Sequence, residues 1–172
     1  MSSIDTVENI DKTITYTIIT TTGYSIENDP AKRWARRTWI MLHTLANKVK
    51  DEDFYLIKDE LIRHIYEICT NLPCESCSLP AKLYLDGIDT SAINSRYNLQ
   101  RMLFNFHNEV NIKVNKPLLS LCELDNLYND LNLTDIVNDF NLNYKFTSHD
   151  KRHEIAGSFM KWITLNISRF RV

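Results

Sequence analysis

The chain has 172 residues, 44% of them hydrophobic and 10% aromatic, with a formal net charge of −2. That length fits one domain with a sizeable core, and the near-neutral balance gives no general attraction to nucleic acid. Three Gly and four Pro are too few for the turns of a β-sandwich or barrel. No apolar run approaches the ~18 residues of a membrane span. The start, Met1-Ser2-Ser3-Ile4-Asp5, lacks the basic and apolar regions of a secretory leader. The four cysteines are therefore expected in a reducing cytoplasm. There a close pair is more often catalytic or metal-binding than a structural staple.

Residues 1–30 read as a separate N-terminal tail. Within them Thr13 to Ile18 alternate at period two, as a half-exposed strand would. Asp29-Pro30 reads as a helix start, with Asp as N-cap and Pro at the first position. From Ala31 to about Lys50 the pattern is helical, with Trp39, Leu42, Ala46 and Val49 on one side. Trp39 and His43 are four apart and share a face. Lys32, Arg33, Arg36 and Arg37 crowd the first two turns, where positive charge opposes the helix dipole. This cluster reads equally as a solvated face or as a site for an anion such as a diphosphate.

A second helix is expected from about Asp53 to Leu72, its stripe being Phe54, Ile57, Leu61, Ile65, Ile68 and Leu72. It runs into Pro73-Cys74-Glu75-Ser76-Cys77. A thioredoxin-like C-x-x-C follows a strand, whereas this one follows a helix and opens another, about Ser76 to Leu85. A helix N-terminus favours thiolate. The fourth helix, about Ser95 to Val114, carries Leu99, Leu103, Phe106, Val110 and Val114, with His107, Asn108 and Asn111 beside that stripe. A lone histidine there is most often a satisfied core residue. A histidine with two asparagines offers donors and acceptors to something planar and polar. Lys113 and Lys116 follow, suited to an anion, before Pro117 ends the helix. A short helix is expected from Glu123 to Leu131, a short helix plus loop over 132–149, and an amphipathic helix over 151–170. The last, with Phe159, Trp162 and Phe170, is expected to be an interaction surface, the alternative being a core helix packed on its own chain.

Three blocks now resemble one family, the FAD-linked sulfhydryl oxidases of the Erv/ALR type. They are Arg36-Arg37-Thr38-Trp39 through His43 and Ala46, then Pro73-Cys74-Glu75-Ser76-Cys77, then His107-Asn108-Glu109-Val110-Asn111 with Lys113 and Asn115-Lys116-Pro117. Each block alone is weak, and all three in this order are specific. The resemblance implies an all-α fold, a FAD-binding four-helix bundle with a short fifth helix over 31–131. Residues 132–172 would be a C-terminal helical extension. It also implies a homodimer. Catalysis would fall to Cys74 and Cys77, with Cys74 attacked by the substrate thiolate and Cys77 facing the flavin. Trp39, His43, His107, Asn108 and Asn111 would lie against FAD, Arg36, Lys113 and Lys116 would reach its phosphates, and Tyr128 would close over it.

The chain departs from the cellular pattern. Leu72 stands where an aromatic often precedes Pro-Cys, and Asn115 stands where glycine precedes the lysine. There is no second C-x-x-C or C-x-C to act as a shuttle, and no cysteine follows Cys122. This looks more like the short versions carried by large cytoplasmic DNA viruses. The implied setting is then host cytoplasm, virus factory or virion, and the implied partners are a dithiol protein or thiol carrier and O2. Two other readings remain open. One is a zinc-stabilised helical binding module using Cys74 and Cys77 with Cys69, Cys122 or a histidine. The other is a non-catalytic FAD-binding scaffold. Cys69 and Cys122 are expected to be buried and dispensable, with a bridge between them as the lesser alternative.

Overall fold

Helix α1, Arg33–Lys48, is the centre of the molecule. Ile40, Met41, Leu42, Leu45 and Ala46 are all buried, so it is covered on nearly every side rather than along one stripe. The computed structural model describes residues 33–144 and 150–171. The alternating run Thr13 to Ile18, the Asp29-Pro30 helix start and Lys32 lie outside the described residues.

After α1 come α2 (Asp51–Cys69), α3 (Glu75–Asp86), a 3-10 turn (Thr90–Ala92), α4 (Arg96–Lys113) and α5 (Leu121–Tyr128). Then follow α6 (Leu133–Tyr144), α7 (Lys151–Asn166) and a 3-10 turn (Ile167–Arg169). Among the described residues the only extended pairing is one isolated bridge, Val49 to Phe170. The all-α expectation holds.

Local chemistry sets the ends. Asp51, Glu52 and Asp53 complement the dipole in the first turn of α2. The Ser95 hydroxyl caps α4 by accepting the Asn98 N–H, and Asp150 caps α7 by accepting that of Arg152. At the end of α4 the Lys116 N–H donates to the Asn111 carbonyl (2.8 Å) and the Asn115 N–H to that of Ile112 (3.2 Å). Asn115 between them has φ 55°. This is a Schellman closure, which needs a left-handed residue, and asparagine adopts that conformation with little strain. The residue that departs from the family's glycine therefore makes the turn that a glycine would make.

The stripe of α2 is as expected up to Ile68, and Leu72 lies beyond the helix. In α4, Leu99, Leu103 and Phe106 are buried, but Val114 sits past the helix end and is exposed.

The C-terminal region carries the expected short helix, and one expectation about it changes. Residues 133–144 form three full turns that pack along α1, the most extensive helix pair in the fold. Leu133, Ile136, Val137, Phe140 and Tyr144 are buried there. The expected interaction surface on α7 is corrected: Ile155, Phe159, Trp162, Ile163 and Phe170 are buried against their own chain, on α2 and α6. Phe159 meets Phe140 edge-on (5.9 Å), and Trp162 Nε1 donates to Glu60 (2.7 Å). Each buried aromatic contributes roughly 2–3 kcal/mol, more than an isolated face in water could. The chain end is also stitched to the α1–α2 turn. Lys50 N–H donates to the Arg169 carbonyl (2.9 Å) and Arg171 N–H to that of Lys48 (2.7 Å).

The basic cluster is partly resolved as well. Arg37 does not lie on a solvated face. Its Nε donates to Asp139 of α6 at 2.8 Å, and both side chains are about nine-tenths buried.

Candidate active site

Cys74 and Cys77 are joined in a disulfide with Cα atoms 5.2 Å apart. Cys74 is the N-cap of α3 and Cys77 lies in its first turn, where the Cys77 and Ser78 N–H groups both reach the Cys74 carbonyl. Both cysteines are half-buried. The Ser76 hydroxyl is 3.3 Å from Cys74 Sγ. A helix N-terminus with a hydroxyl donor stabilises a thiolate, so the local chemistry suits thiol–disulfide exchange.

A second cluster assembles where α1, α4 and α5 meet. Trp39 and His107 stack with centroids 3.9 Å apart and planes 4° from parallel. His43 Nε2 and His107 Nδ1 are 3.0 Å apart. Tyr128 of α5 stacks on the other side of His43 at 5.1 Å. Burial pushes His43 down to about 3, and burial first, then the neighbouring His43 imidazole and the Lys116 charge, hold His107 well below its ordinary range. Both imidazoles are therefore neutral near pH 7, and one must donate to the other. Burial raises the Tyr128 phenol, with the nearby Arg36 charge opposing.

A run of rings leads from the cluster to α3, the helix that the disulfide opens. Trp39 meets Phe106 edge-on at 5.1 Å, and Phe106 stacks on Tyr84 of α3 at 4.8 Å. Tyr84 is seven residues after Cys77 on the same helix, about 10 Å along its axis.

The expected residues divide as follows. Trp39, His43, His107 and Tyr128 come together, with Arg36 near Tyr128 and Lys116 near His107. Asn111 is buried one turn beyond His107. The Asn108 amide is committed elsewhere: it donates to the Leu119 carbonyl (3.1 Å) and accepts the Leu119 N–H (2.8 Å). It tethers the segment between α4 and α5. Lys113 is half-exposed and pairs with Glu109 at 3.4 Å.

Residues that the sequence reading passed over also face this region. A cleft beside His43 and Tyr128 is lined by Asn47, Tyr97, Gln100 and Arg101. Asn47 follows His43 by four, a helical neighbour that spacing could have nominated.

A flavin dinucleotide needs flat walls, neutral polar edges and positive charge for its diphosphate. The four parallel-leaning rings supply the walls and the neutral histidines an edge. Thr44 Oγ1 and Asn47 Oδ1 are buried on α1 without a hydrogen-bond partner among the described residues. Arg36, Arg101 and Lys116 border the region. This donor set fits such a group. The zinc reading finds no ligand set: Cys69 is buried and Cys122 is exposed, both as free thiols. Among the described residues no three His, Cys, Asp or Glu side chains converge. Exposure of Cys122 also corrects the expectation that it is buried, and the alternative 69–122 bridge is not formed.

The FAD-linked sulfhydryl oxidase of African swine fever virus is 33% identical over 95 residues, covering 55% of this chain and 79% of that protein. Proteins of the same name from two further isolates give the same figures. The 096R protein of Invertebrate iridescent virus 3 is 34% identical over 93 residues, 54% of this chain and 62% of its own length. No solved structure matches the chain. The profile of the Erv1 / Alr family matches residues 36–129, which take in the disulfide, the ring cluster and the basic residues around it. The chain belongs to the Erv1/Alr family.

Proposed function

We propose that this chain is an FAD-dependent thiol oxidase that makes disulfides in a dithiol protein or thiol carrier. The observation that carries the reading is the Cys74–Cys77 disulfide at the start of α3, a helix that Tyr84 and Phe106 join to the Trp39–His107 stack. The proposed catalytic pair is Cys74 and Cys77. Trp39, His43, His107, Asn111 and Tyr128 would hold the cofactor, with Arg36 and Lys116 at its phosphates. Lys113 is a weaker member of that set, and Asn108 would act by fixing the 118–120 segment.

A substrate thiolate attacks Cys74 Sγ. The Cys74–Cys77 bond breaks, a substrate–Cys74 disulfide forms, and Cys77 leaves with the electron pair as thiolate. The second substrate thiol loses its proton and attacks the substrate sulfur, releasing Cys74. The substrate is now oxidised and the cysteine pair reduced. FAD, held by the residues named above, would supply the acceptor for that electron pair and its onward transfer to O2 as hydrogen peroxide. The Ser76 hydroxyl would stabilise the Cys74 thiolate while the pair is reduced. His43 and His107 stay neutral and offer one donor and one acceptor at the ring edge.

With no second cysteine pair in the sequence, Cys74 must meet its substrate directly. A small protein with a mobile, low-pKa dithiol suits that better than a folded protein with recessed thiols. We place the chain in a cytoplasmic setting as a homodimer that does not bind nucleic acid. The oxidase unit would span 31–131, with 132–172 as an extension whose helices join the same core. The net charge of −2 supports the absence of nucleic acid. Exposed Tyr55 and Leu56 on α2 offer apolar area for a second copy. No described helix is long and apolar enough to cross a membrane.

The test is direct. Purified protein should be yellow and should consume O2 with dithiothreitol, and Cys74→Ser or Cys77→Ser should lower turnover by at least about a hundredfold. Colourless protein that consumes no O2 after incubation with FAD would end the reading. Rates on a reduced folded protein should be low and rise when a C-x-x-C carrier is added.

A further inference from the structure

Only Thr70, Asn71, Leu72 and Pro73 separate α2 from Cys74. Side chains from two different helices hold this linker. Ser78 Oγ of α3 accepts the Leu72 N–H at 2.9 Å and lies 3.2 Å from the Cys74 carbonyl. Tyr144, the last residue of α6, brings its phenol to the Asn71 carbonyl (2.7 Å) and the Ile68 carbonyl (3.1 Å). Its ring is 1% exposed and stacks on Phe140 at 4.9 Å. Carbonyls at a helix C-terminus lack intrahelical partners, and leaving them unpaired in a buried place is costly. The Ile68 carbonyl also accepts the Asn71 N–H (3.3 Å), so the Tyr144 phenol matters most at the Asn71 carbonyl, three residues before Cys74. Tyr144 lies outside the residues 36–129 that the family profile matches.

We infer that Tyr144 is a positioning residue for the Cys74–Cys77 pair, anchoring the linker so that Cys74 keeps its place whether the pair is oxidised or reduced. This rests on the proposed reading of Cys74–Cys77 as the redox pair. Once the S–S bond is broken, only the backbone keeps the two sulfurs near one another. A fixed linker maintains their effective concentration and favours re-closure. A loosened linker lets Cys74 drift and makes the reduced form easier to reach.

The measurement is the pair's own equilibrium with glutathione. Two glutathione thiols reduce the Cys74–Cys77 bond to two thiols and become one glutathione disulfide. One S–S bond breaks, one forms, and two electrons and two protons move to the cysteines. The full chain as purified is held anaerobically in glutathione buffers, quenched in acid and counted by maleimide mass shift. Tyr144→Phe keeps the ring and the Phe140 stack and removes only the anchor. We expect it to ease reduction by about three- to tenfold, or roughly 14–30 mV at 29.6 mV per tenfold change. Phe140→Leu loosens the same packing but leaves the phenol, and it should shift the equilibrium less than about twofold even where it lowers the melting temperature equally. A shift under twofold in Tyr144→Phe, or equal shifts in both variants, overturns the proposal. A second reading needs no variant. The Leu72 amide of the wild-type chain should stay protected from hydrogen exchange after reduction, and loss of that protection also overturns it. Neither readout needs FAD or O2, so a chain without oxidase activity would still decide this point.

Discussion

The indole of Trp39 lies flat on the imidazole of His107, 3.9 Å between centroids, and Nδ1 of that imidazole meets His43 Nε2 at 3.0 Å. One ring is thus fixed by its face from α1 and by its edge from the next turn of α1. Rotation of His107 would break the stack or the hydrogen bond. The site is therefore set by the register of α4 against α1, and elements that hold α1 in place act on it indirectly.

The histidine pair should make stability depend on pH. His43 sits at about 3 in the fold against 6.5 in an unfolded chain. Between those values the unfolded chain binds the proton and the folded chain does not. Stability therefore falls as pH drops from 6.5 towards 3 and is unaffected by this group above 6.5. At pH ~5 the loss from His43 is about 2 kcal/mol, at 1.36 kcal/mol per pH unit. The lowered His107 adds in the same direction. Urea unfolding at several pH values checks this. His43→Phe should flatten the slope, and an unchanged slope would remove the histidines as its cause.

The buried pair Arg37–Asp139 joins α1 to α6 at 2.8 Å. Removing one partner strands a buried charge, so Asp139→Ala should cost about 3 kcal/mol of stability. Arg37→Met with Asp139→Leu, which removes both charges, should recover most of that loss. Chemical denaturation of the three proteins decides it. A double variant no more stable than Asp139→Ala would contradict the argument.

The Ser76 hydroxyl lies 3.3 Å from the Cys74 sulfur. In reduced protein Ser76→Ala removes a donor to the thiolate, so the Cys74 pKa should rise by roughly half a unit. The pH profile of Cys74 alkylation by iodoacetamide reports it, read by mass spectrometry. A profile identical to wild type would show that the hydroxyl turns away on reduction.

The two other cysteines differ in environment. Burial pushes the Cys69 thiol up to about 12, whereas Cys122 is exposed. Native oxidised protein should alkylate quickly at Cys122, and Cys69 should react only on unfolding. Cys122→Ala with Cys69→Ala should keep FAD content and turnover within about twofold of wild type. Fast native labelling of Cys69 would show that α2 opens near the redox motif.

What the sequence determined by itself is what depends on short spacings. Phe54, Ile57, Leu61, Ile65 and Ile68 recur at helical intervals, and their burial follows from period alone. The pair Cys74 and Cys77 is close in the chain, so its disulfide could be anticipated without knowing what packs around it. Trp39 with His43, and His107 with Asn111, share helix faces by the same rule.

Tertiary structure decided everything that joins distant segments. Spacing cannot show that Tyr128 stacks on His43, because the pattern of α5 says which side is buried and not which helix it meets. It cannot separate Arg37, buried against Asp139, from its neighbour Arg36, which stands near Tyr128. The Asn- and Asp-rich stretch 132–149 reads as a short helix plus loop, and its scattered apolar residues do not say what covers them. Yet Phe140 and Tyr144 are nearly fully buried against the rest of the chain. Likewise the wide apolar face of α7 is visible in the sequence, but amphipathicity says only that a face will be covered, not by what. Here its own α2 and α6 cover it, and α6 carries Tyr144 to the carbonyls before Cys74. Long-range packing is set by shape and by where burial is cheapest, and no local period encodes either.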